Sequence, residues 1–491
     1  MTPTLIDQLL ADQATLQTPV AKFAEEHDKG TVRTDLYKDL IPLEKPGPGE
    51  QYAFQVELDR CTGCKACLVA CHTLNGLDEE ESWRDVGLIE ADQGFQQTVT
   101  AACHHCLEPE CMHGCPVGAY EKDQDTGIVR HLDDQCIGCE YCVLKCPYEV
   151  PKYSESRGIV RKCDMCHQRL EVGEAPACVQ ACPTAAISII KVETEPLREK
   201  NDFLPGAPTP EITLPTTRYL GRKVPLDARP ADQSRLTPQP AHWPLALMLA
   251  LTQVGLGLSC AALFGNLPAA IAGLLLFNAG MGAATLHLGK PLKAWRFFLG
   301  LKTSWLSREI LAFSLVAPLP LVICALPFVP DFPFKDLVAQ VAQLSLVPAS
   351  LGAIFTSVMI YHDTKRANWN LKKTLPAFLL TFFTAAALFY SPVLFLLGAL
   401  ALAVLDGLHI LPITTERWSP ARHSAQLRLG PLKKVTYARF GTLALAALSS
   451  AFPWVALPVF LTSEILARHL FFRSVQAPKN PGTLGGPTCA H

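Results

Sequence analysis

Sixteen of the nineteen cysteines lie between Cys61 and Cys182, in four groups of four, and no other feature of this 491-residue chain restricts its fold as tightly. The first group is Cys61, Cys64, Cys67 and Cys71; the second is Cys103, Cys106, Cys111 and Cys115. The third is Cys136, Cys139, Cys142 and Cys146; the fourth is Cys163, Cys166, Cys178 and Cys182. The first and third share the spacing C-x2-C-x2-C-x3-C, the second runs C-x2-C-x4-C-x3-C, and the fourth C-x2-C-x11-C-x3-C. Pro116, Pro147 and Pro183 follow the last cysteine of three groups, and His72 takes that place in the first. A disulfide framework is the first reading to set aside. Residues 1–30 lack the basic and apolar regions of a secretory leader and any twin-arginine pair; they read as a short amphipathic helix through Leu5, Leu9, Leu10, Ala14 and Leu16. A reducing compartment is therefore the expectation, where clustered cysteines bind metal or carry redox chemistry.

The first and third spacings match the bacterial ferredoxin run, whose fourth cysteine serves the other cluster of a pair. The reason is geometric. A cubane [4Fe–4S] cluster presents four iron corners, each needing a thiolate, and a loop with a cysteine every third residue wraps three of them. The fourth corner is reached from a distant segment, and proline stops the helix that delivers it. Zinc is the competing reading, because the fourth group alone resembles a zinc ribbon. Three cysteines within seven residues, twice over, fit a tetrahedral ion poorly. The ferredoxin rule and the internal repeat pair groups one and four as an outer unit, with groups two and three nested inside it. One ligand set is then Cys61, Cys64, Cys67 and Cys182, and its mate is Cys71, Cys163, Cys166 and Cys178. The nested sets are Cys103, Cys106, Cys111 and Cys146, and Cys115, Cys136, Cys139 and Cys142. Four clusters in so short a stretch would themselves hold the fold, so the metal-free domain is expected to be largely unfolded.

Charge divides the chain in two. Residues 1–240 carry 24 Lys+Arg against 38 Asp+Glu, whereas residues 241–491 carry 19 against 7. So few charges over the second half exclude a soluble globule, and the overall balance excludes a basic nucleic-acid binder. Nine prolines between residues 191 and 241 mark an extended linker, draped over a partner. From Trp243 long apolar stretches give eight spans of membrane-crossing length, near 243–264, 268–288, 309–329, 338–360, 374–391, 393–413, 439–456 and 457–474. The loops after spans two, four and six hold fifteen basic residues, from Lys290 to Arg439, against Lys335 on the opposite side. The positive-inside rule then puts the cysteine domain in the cytoplasm, with the chain in the inner membrane.

Ionisable groups inside spans are functional candidates. His287 closes span two and Glu309 opens span three, both on the side of the cysteine domain. A quinol loses two protons with its two electrons, so an imidazole and a carboxylate near each hydroxyl suit a quinone site. Alternatively the two groups merely cap helices, with Arg308 pairing Glu309. Asp406/His409 and Glu464/Arg468 are helix-spaced pairs, read as intrahelical bridges or as part of a proton route. Lys65, Lys145 and Lys162, beside the cysteines, are expected to tune cluster potentials, and His104, His105 and His113 to donate hydrogen bonds rather than bind iron. The acidic stretch Asp78–Glu81 reads as a solvated loop or a docking surface. No dinucleotide or Walker loop is present and no nucleophile is left unassigned, so no catalytic residue is expected.

The four-group pattern resembles the four-cluster ferredoxin subunit of the dimethyl sulfoxide reductase family of molybdenum oxidoreductases. The second half is similar to that family's eight-helix anchor. It carries His287, Leu288, Gly289 and Pro291 as H-L-G-x-P, then Ser307–Glu309, then Tyr361, Thr364, Arg366 and Trp369. The resemblance implies a duplicated bacterial-ferredoxin-like α+β domain with four [4Fe–4S] clusters, followed by an all-α eight-helix transmembrane bundle. It also implies a menaquinol or ubiquinol site at His287 and Glu309, and a separate catalytic subunit holding a molybdenum bis-pterin. The expected divisions are an N-terminal extension over 1–50, the cluster domain over 51–190, the linker over 191–242, the anchor over 243–475 and a tail over 476–491. The expected role is electron transfer and membrane anchoring between the quinone pool and that subunit. Two departures stand out: two subunits are one polypeptide here, and a cytoplasmic cluster domain fits better a sulfite-oxidising relative that delivers electrons to quinone. Rival readings are a b-haem anchor using pairs among His287, His362, His409 and His469, and a proton-translocating unit built on the Asp406 and Glu464 pairs.

Overall fold

The computed structural model describes residues 39–480, apart from 200, 201 and 416, together with residues 4–6, 8, 25 and 29. The helix expected over 1–30 and the tail beyond 480 fall largely outside the described residues. β1 (Glu50–Glu57) buries Tyr52, Ala53, Phe54 and Val56 on both faces, because it is a central strand. It pairs antiparallel with β8 (Ile187–Glu193) on one edge and parallel with β9 (Arg218–Leu220) on the other. β1 leads into the first cysteine group and the fourth group leads into β8, so one ladder closes the outer unit.

Helix α1 (Ala66–Asn75) carries Cys67 and Cys71 on its buried side. The hairpin of β2 (Asp85–Ala91) and β3 (Phe95–Ala101) separates groups one and two. The nested unit is held by two short hairpins, β4 (Tyr120–Lys122) with β5 (Val129–His131), and β6 (Lys152–Ser154) with β7 (Ile159–Arg161). Cysteines are interleaved with the apolar core: Cys67, Cys103, Cys146, Cys163 and Cys178 pack with Phe54, Ile128, Tyr148 and Ile187. The acidic loop keeps Glu79 and Glu80 exposed but is anchored at both ends. Asp78 accepts hydrogen bonds from Ser154 (2.7 Å) and Ser156 (2.6 Å), and Glu81 is buried in an ion pair with Arg161, so the loop ties outer and nested units together.

The linker departs from expectation. It is proline-rich and extended, but it drapes over its own chain: β9 completes the β1 sheet and β10 (Arg229–Pro230) completes the β2–β3 sheet. Sheet edges present unpaired backbone groups, and a proline-bearing strand can cover such an edge without needing a partner beyond it. After the last helix, Val475, Ala477 and Asn480 are buried as well, so the start of the tail returns to the cysteine domain.

Six helices among the described residues are long and apolar enough to cross a membrane: Trp243–Phe264, Leu267–Leu286, Trp305–Phe328, Lys335–His362, Pro392–Thr414 and Pro453–Arg473. The regular helices within them are α2 (Trp243–Ser259), α3 (Leu267–Leu286), α4 (Trp305–Val316), α5 (Lys335–His362), α7 (Pro392–Ile410) and α10 (Pro453–Arg473). The bundle also holds α6 (Leu371–Ala387), α8 (Pro420–Leu429) and α9 (Lys433–Leu448). α6 and α9, the fifth and seventh expected spans, run only 17 and 16 residues, and lysine pairs in their first turns shorten the apolar run further. α2 and α3 touch backbone to backbone: a Cβ on Gly255 would meet Phe277 N at 2.5 Å, and one on Gly273 would meet Ser259 N at 2.5 Å. Small residues permit this approach where apolar surroundings give no hydrophobic drive between helices. Leu275, Leu344, Leu397 and Leu445 point outward, as lipid-facing residues would.

Candidate functional site

Four cavities in the cysteine domain are each lined by four cysteines. Cavity one has Cys61, Cys64, Cys67 and Cys182 in about 290 Å³, and cavity two Cys71, Cys163, Cys166 and Cys178 in about 280 Å³. Cavity three has Cys103, Cys106, Cys111 and Cys146 in about 370 Å³, and cavity four Cys115, Cys136, Cys139 and Cys142 in about 270 Å³. In every group the residue before the second cysteine is left-handed: Gly63 (φ 73°), His105 (39°), Gly138 (68°) and Met165 (60°). This turn makes the chain wrap inward and aims backbone amides at sulfur. Gly138 N reaches Cys136 Sγ at 3.3 Å and Met165 N reaches Cys163 Sγ at 3.4 Å, while Ala119 and Ala186 donate to Cys115 and Cys182 at 3.2 Å.

The donor set fits a polynuclear cluster. A zinc ion needs its sulfurs about 2.3 Å from one centre, yet among the described residues no three His, Cys, Asp or Glu side chains converge on a single-ion site. The sulfurs instead surround a cage several atoms wide, and their amide hydrogen bonds are of the kind that tunes iron–sulfur clusters.

Charged neighbours behave differently from one another. Lys162 is buried, with Nζ 3.6 Å from Cys103 Sγ and hydrogen-bonded to the carbonyls of Val129 and Cys163. The surrounding sulfurs, Cys103 first, hold its ammonium above the usual lysine range despite burial. Lys145 instead bridges Glu110 and Asp363 (2.7 Å), a tie between domains rather than a charge aimed at sulfur. Lys65 is exposed. His104 is enclosed between Thr217 (2.9 Å) and Asn480 (3.0 Å), and burial pushes its imidazole down to about 4, so it is neutral. His105 Nδ1 accepts from Val129 N at 3.1 Å, and His113 lies by Glu110.

Shared neighbours order the cavities. Lys162 faces sulfurs of cavities two and three, and Tyr120 faces Cys142, Cys111 and Cys115 of cavities three and four. Cavity four then abuts the bundle. Its wall residues Ile137 and Pro116 accept hydrogen bonds from Lys290 N (3.0 Å), Gly300 N (2.9 Å) and Ser307 Oγ (3.5 Å). Backbones meet closely: a Cβ on Gly138 would lie 2.5 Å from Gly158 O and 3.0 Å from Gly289 N. At this seam the His287 ring lies beside the backbone of Cys139 and packs edge-on to His242, 5.7 Å between centroids. Glu309 is buried in α4 and accepts from Ser357 of α5. Arg308 does not pair with it; its guanidinium is taken by the carbonyls of Leu301 (3.1 Å) and Lys302 (2.6 Å).

Comparison with known proteins agrees with this geometry. Residues 95–192 match the model of a 4Fe-4S dicluster domain, and residues 267–414 match that of the DMSO reductase anchor subunit (DmsC). The B subunit of the anaerobic dimethyl sulfoxide reductase of Escherichia coli (strain K12) is 38% identical over 172 residues, covering 33% of this chain and 82% of that protein. The protein belongs to the dimethyl sulfoxide reductase family. It joins the family's iron–sulfur subunit and anchor in one polypeptide, and is an electron-transfer and membrane-anchor subunit with a 4Fe-4S domain. The thiosulfate reductase electron transfer subunit PhsB of Salmonella typhi is 38% identical over 149 residues, covering 29% of this chain and 77% of its own length. The hydrogenase-2 operon protein HybA of Escherichia coli O157:H7 is 32% identical over 185 residues, 32% of this chain and 56% of that protein. The anchor match and the six apolar helices make this dimethyl sulfoxide reductase-type subunit a multi-pass membrane protein.

The anchor of this family member carries a buried polar network that helix-spaced pairing misses. Asp406 of α7 pairs with Arg428 (3.3 Å) of α8 and Arg439 (3.0 Å) of α9 rather than with His409. Arg439 continues to Glu464 (2.8 Å), and Glu464 to Thr381 (2.6 Å) and its helix neighbour Arg468 (3.7 Å). Arg468 also reaches Gln253 of α2 at 2.6 Å. The pairs therefore link six helices. Of the other histidines singled out, His469 stacks on Trp243 at 4.3 Å.

Proposed function

We propose that this subunit holds four [4Fe–4S] clusters, one per cavity, and connects them to a quinone bound at the cluster-side ends of α3 and α4. The ligands would be the four cysteines lining each cavity, all sixteen thiolates being used. A cluster in each cavity supplies one-electron transfer. The observation that carries the reading is the shared wall: the residues that line cavity four hydrogen-bond the very segment that bears His287 and Glu309. A quinol there gives up two electrons and two protons. The His287 imidazole, beside the Cys139 backbone, accepts one proton, and the Glu309 carboxylate, oriented by Ser357, accepts the other. His242, against His287, completes the polar lip.

The catalytic partner in this proposal is a molybdenum bis-pterin subunit docked on the cluster domain at residues 51–190, with 191–242 as the cover of that domain, 243–475 as an eight-crossing anchor, and 1–50 and 476–491 as extension and tail. The basic residues in the loops after the second, fourth and sixth expected spans support a cytoplasmic cluster domain. That sidedness favours a second reading, a sulfite dehydrogenase that runs the same residues in the opposite direction and delivers electrons to quinone. The test is His287→Ala and Glu309→Gln in the full complex. Both should stop quinone-linked turnover while cluster EPR signals persist, and unchanged quinol kinetics in both would remove the site.

A further inference from the structure

β2 is preceded by an arginine that no cysteine spacing marks. Arg84 is 2% exposed and lines cavity two beside Cys71, Cys163, Cys166 and Cys178. Its Nη1 donates to Thr100 Oγ1 at 3.1 Å, and its guanidinium lies over the Phe54 ring, 4.6 Å from the centroid. Nε and Nη2, both buried, meet no protein acceptor. No carboxylate pairs with it among the described residues; the charges that face it are the sulfurs of Cys178, Cys67, Cys163 and Cys71. A buried, unpaired guanidinium is costly, so a cation kept in such a place requires a counter-charge.

We propose that Arg84 is a positioning residue for electron transfer: its unpartnered nitrogens face the cluster of cavity two, whose negative charge neutralises it and whose reduction potential it raises. The proposal rests on the cavities being cluster sites. Four thiolates outweigh the positive core of a cubane, and each electron taken up adds one further negative charge. A fixed cation at the wall therefore favours the reduced form. Cys67 belongs to cavity one, so Arg84 also stands between the first two cavities, as Lys162 stands between the second and third. Two successive junctions thus carry a buried cation, whereas the third carries the neutral phenol of Tyr120. Inside the protein such a charge is screened little by salt, so its effect should persist at high ionic strength.

The experiment is an EPR-monitored redox titration of the full-length protein with chemical mediators, comparing wild type, Arg84→Met and Arg84→Lys. Arg84→Met should weaken reduction of the cavity-two cluster at least tenfold, about 59 mV for one electron, and Arg84→Lys should shift it by much less. Unchanged midpoints in Arg84→Met overturn the proposal, as does an equal shift in both variants, which would trace to packing. If Arg84→Met does not assemble that cluster, iron content of Arg84→Gln and Arg84→Lys decides. Loss of one cluster's iron in the glutamine variant alone supports a charge role, and loss in both overturns it. Because mediators replace quinol, a wrong quinone site leaves this result untouched, and a wild-type protein without clusters would be seen before any variant is made.

Discussion

Gly289→Ala tests whether the contact between the bundle and cavity four must be as close as the structure makes it. A Cβ at Gly289 would fall well inside contact distance of Gly158 O and 2.7 Å from Tyr153 Oη, where ordinary contact starts near 3.4 Å. The obstruction is backbone against backbone, which no rotamer relieves, so the segment after α3 must withdraw. Overpacking of this kind costs about 1–3 kcal/mol, and losing the Lys290 N to Ile137 O hydrogen bond adds about 1 kcal/mol. Because misplacing a reacting group by about 1 Å can cost about 100-fold in rate, moving His287 away from the Cys139 backbone should slow electron entry by a similar factor. The assay is stopped-flow bleaching of iron–sulfur absorbance by quinol in the detergent-solubilised complex, with iron content as control. Gly282→Ala in α3, where an added Cβ meets nothing within 4 Å, is the matched reference and should be neutral. A Gly289→Ala protein reduced at the wild-type rate refutes the reasoning, and so does an equal loss in Gly282→Ala.

Two other tests probe stability. Glu464→Ala leaves Arg439 and Arg468 with too little negative charge in the middle of the bundle and should cost about 3–5 kcal/mol; a thermal midpoint in detergent unchanged from wild type would show that the network does not hold the helices. Stripping iron with a chelator and oxidant should collapse the cysteine domain, whose core is interleaved with cysteines, while far-UV helix signal from the bundle survives on its own apolar cores. Retention of near-UV structure in the iron-free domain would count against that dependence.

The grouping of the cysteines and six of the eight expected apolar spans were legible because both depend on local spacing. A loop that wraps a cluster needs ligands at short fixed intervals, and a helix that crosses lipid needs an unbroken apolar run. What went unread involved partners far apart in the chain. Nothing near Asp406 or Glu464 announces Arg428 and Arg439, and the i,i+4 rule points instead to their own helices. Lys145 looked like Lys162, a cation next to a grouped cysteine, yet one faces an aspartate of the bundle and the other faces sulfur. Composition made the linker a linker, although its strands complete two sheets.

By itself, then, the order of residues determined the chemistry available: how many thiolates, in what groups, ahead of which apolar helices. Tertiary structure alone decided which charges meet. Arg84 joins Cys178 across nearly a hundred residues, His287 reaches Cys139, and Gly138, Gly158 and Gly289 converge on one seam. The physical reason is that ligand spacing is a property of one loop, whereas burial and charge depend on what the rest of the polypeptide packs against it.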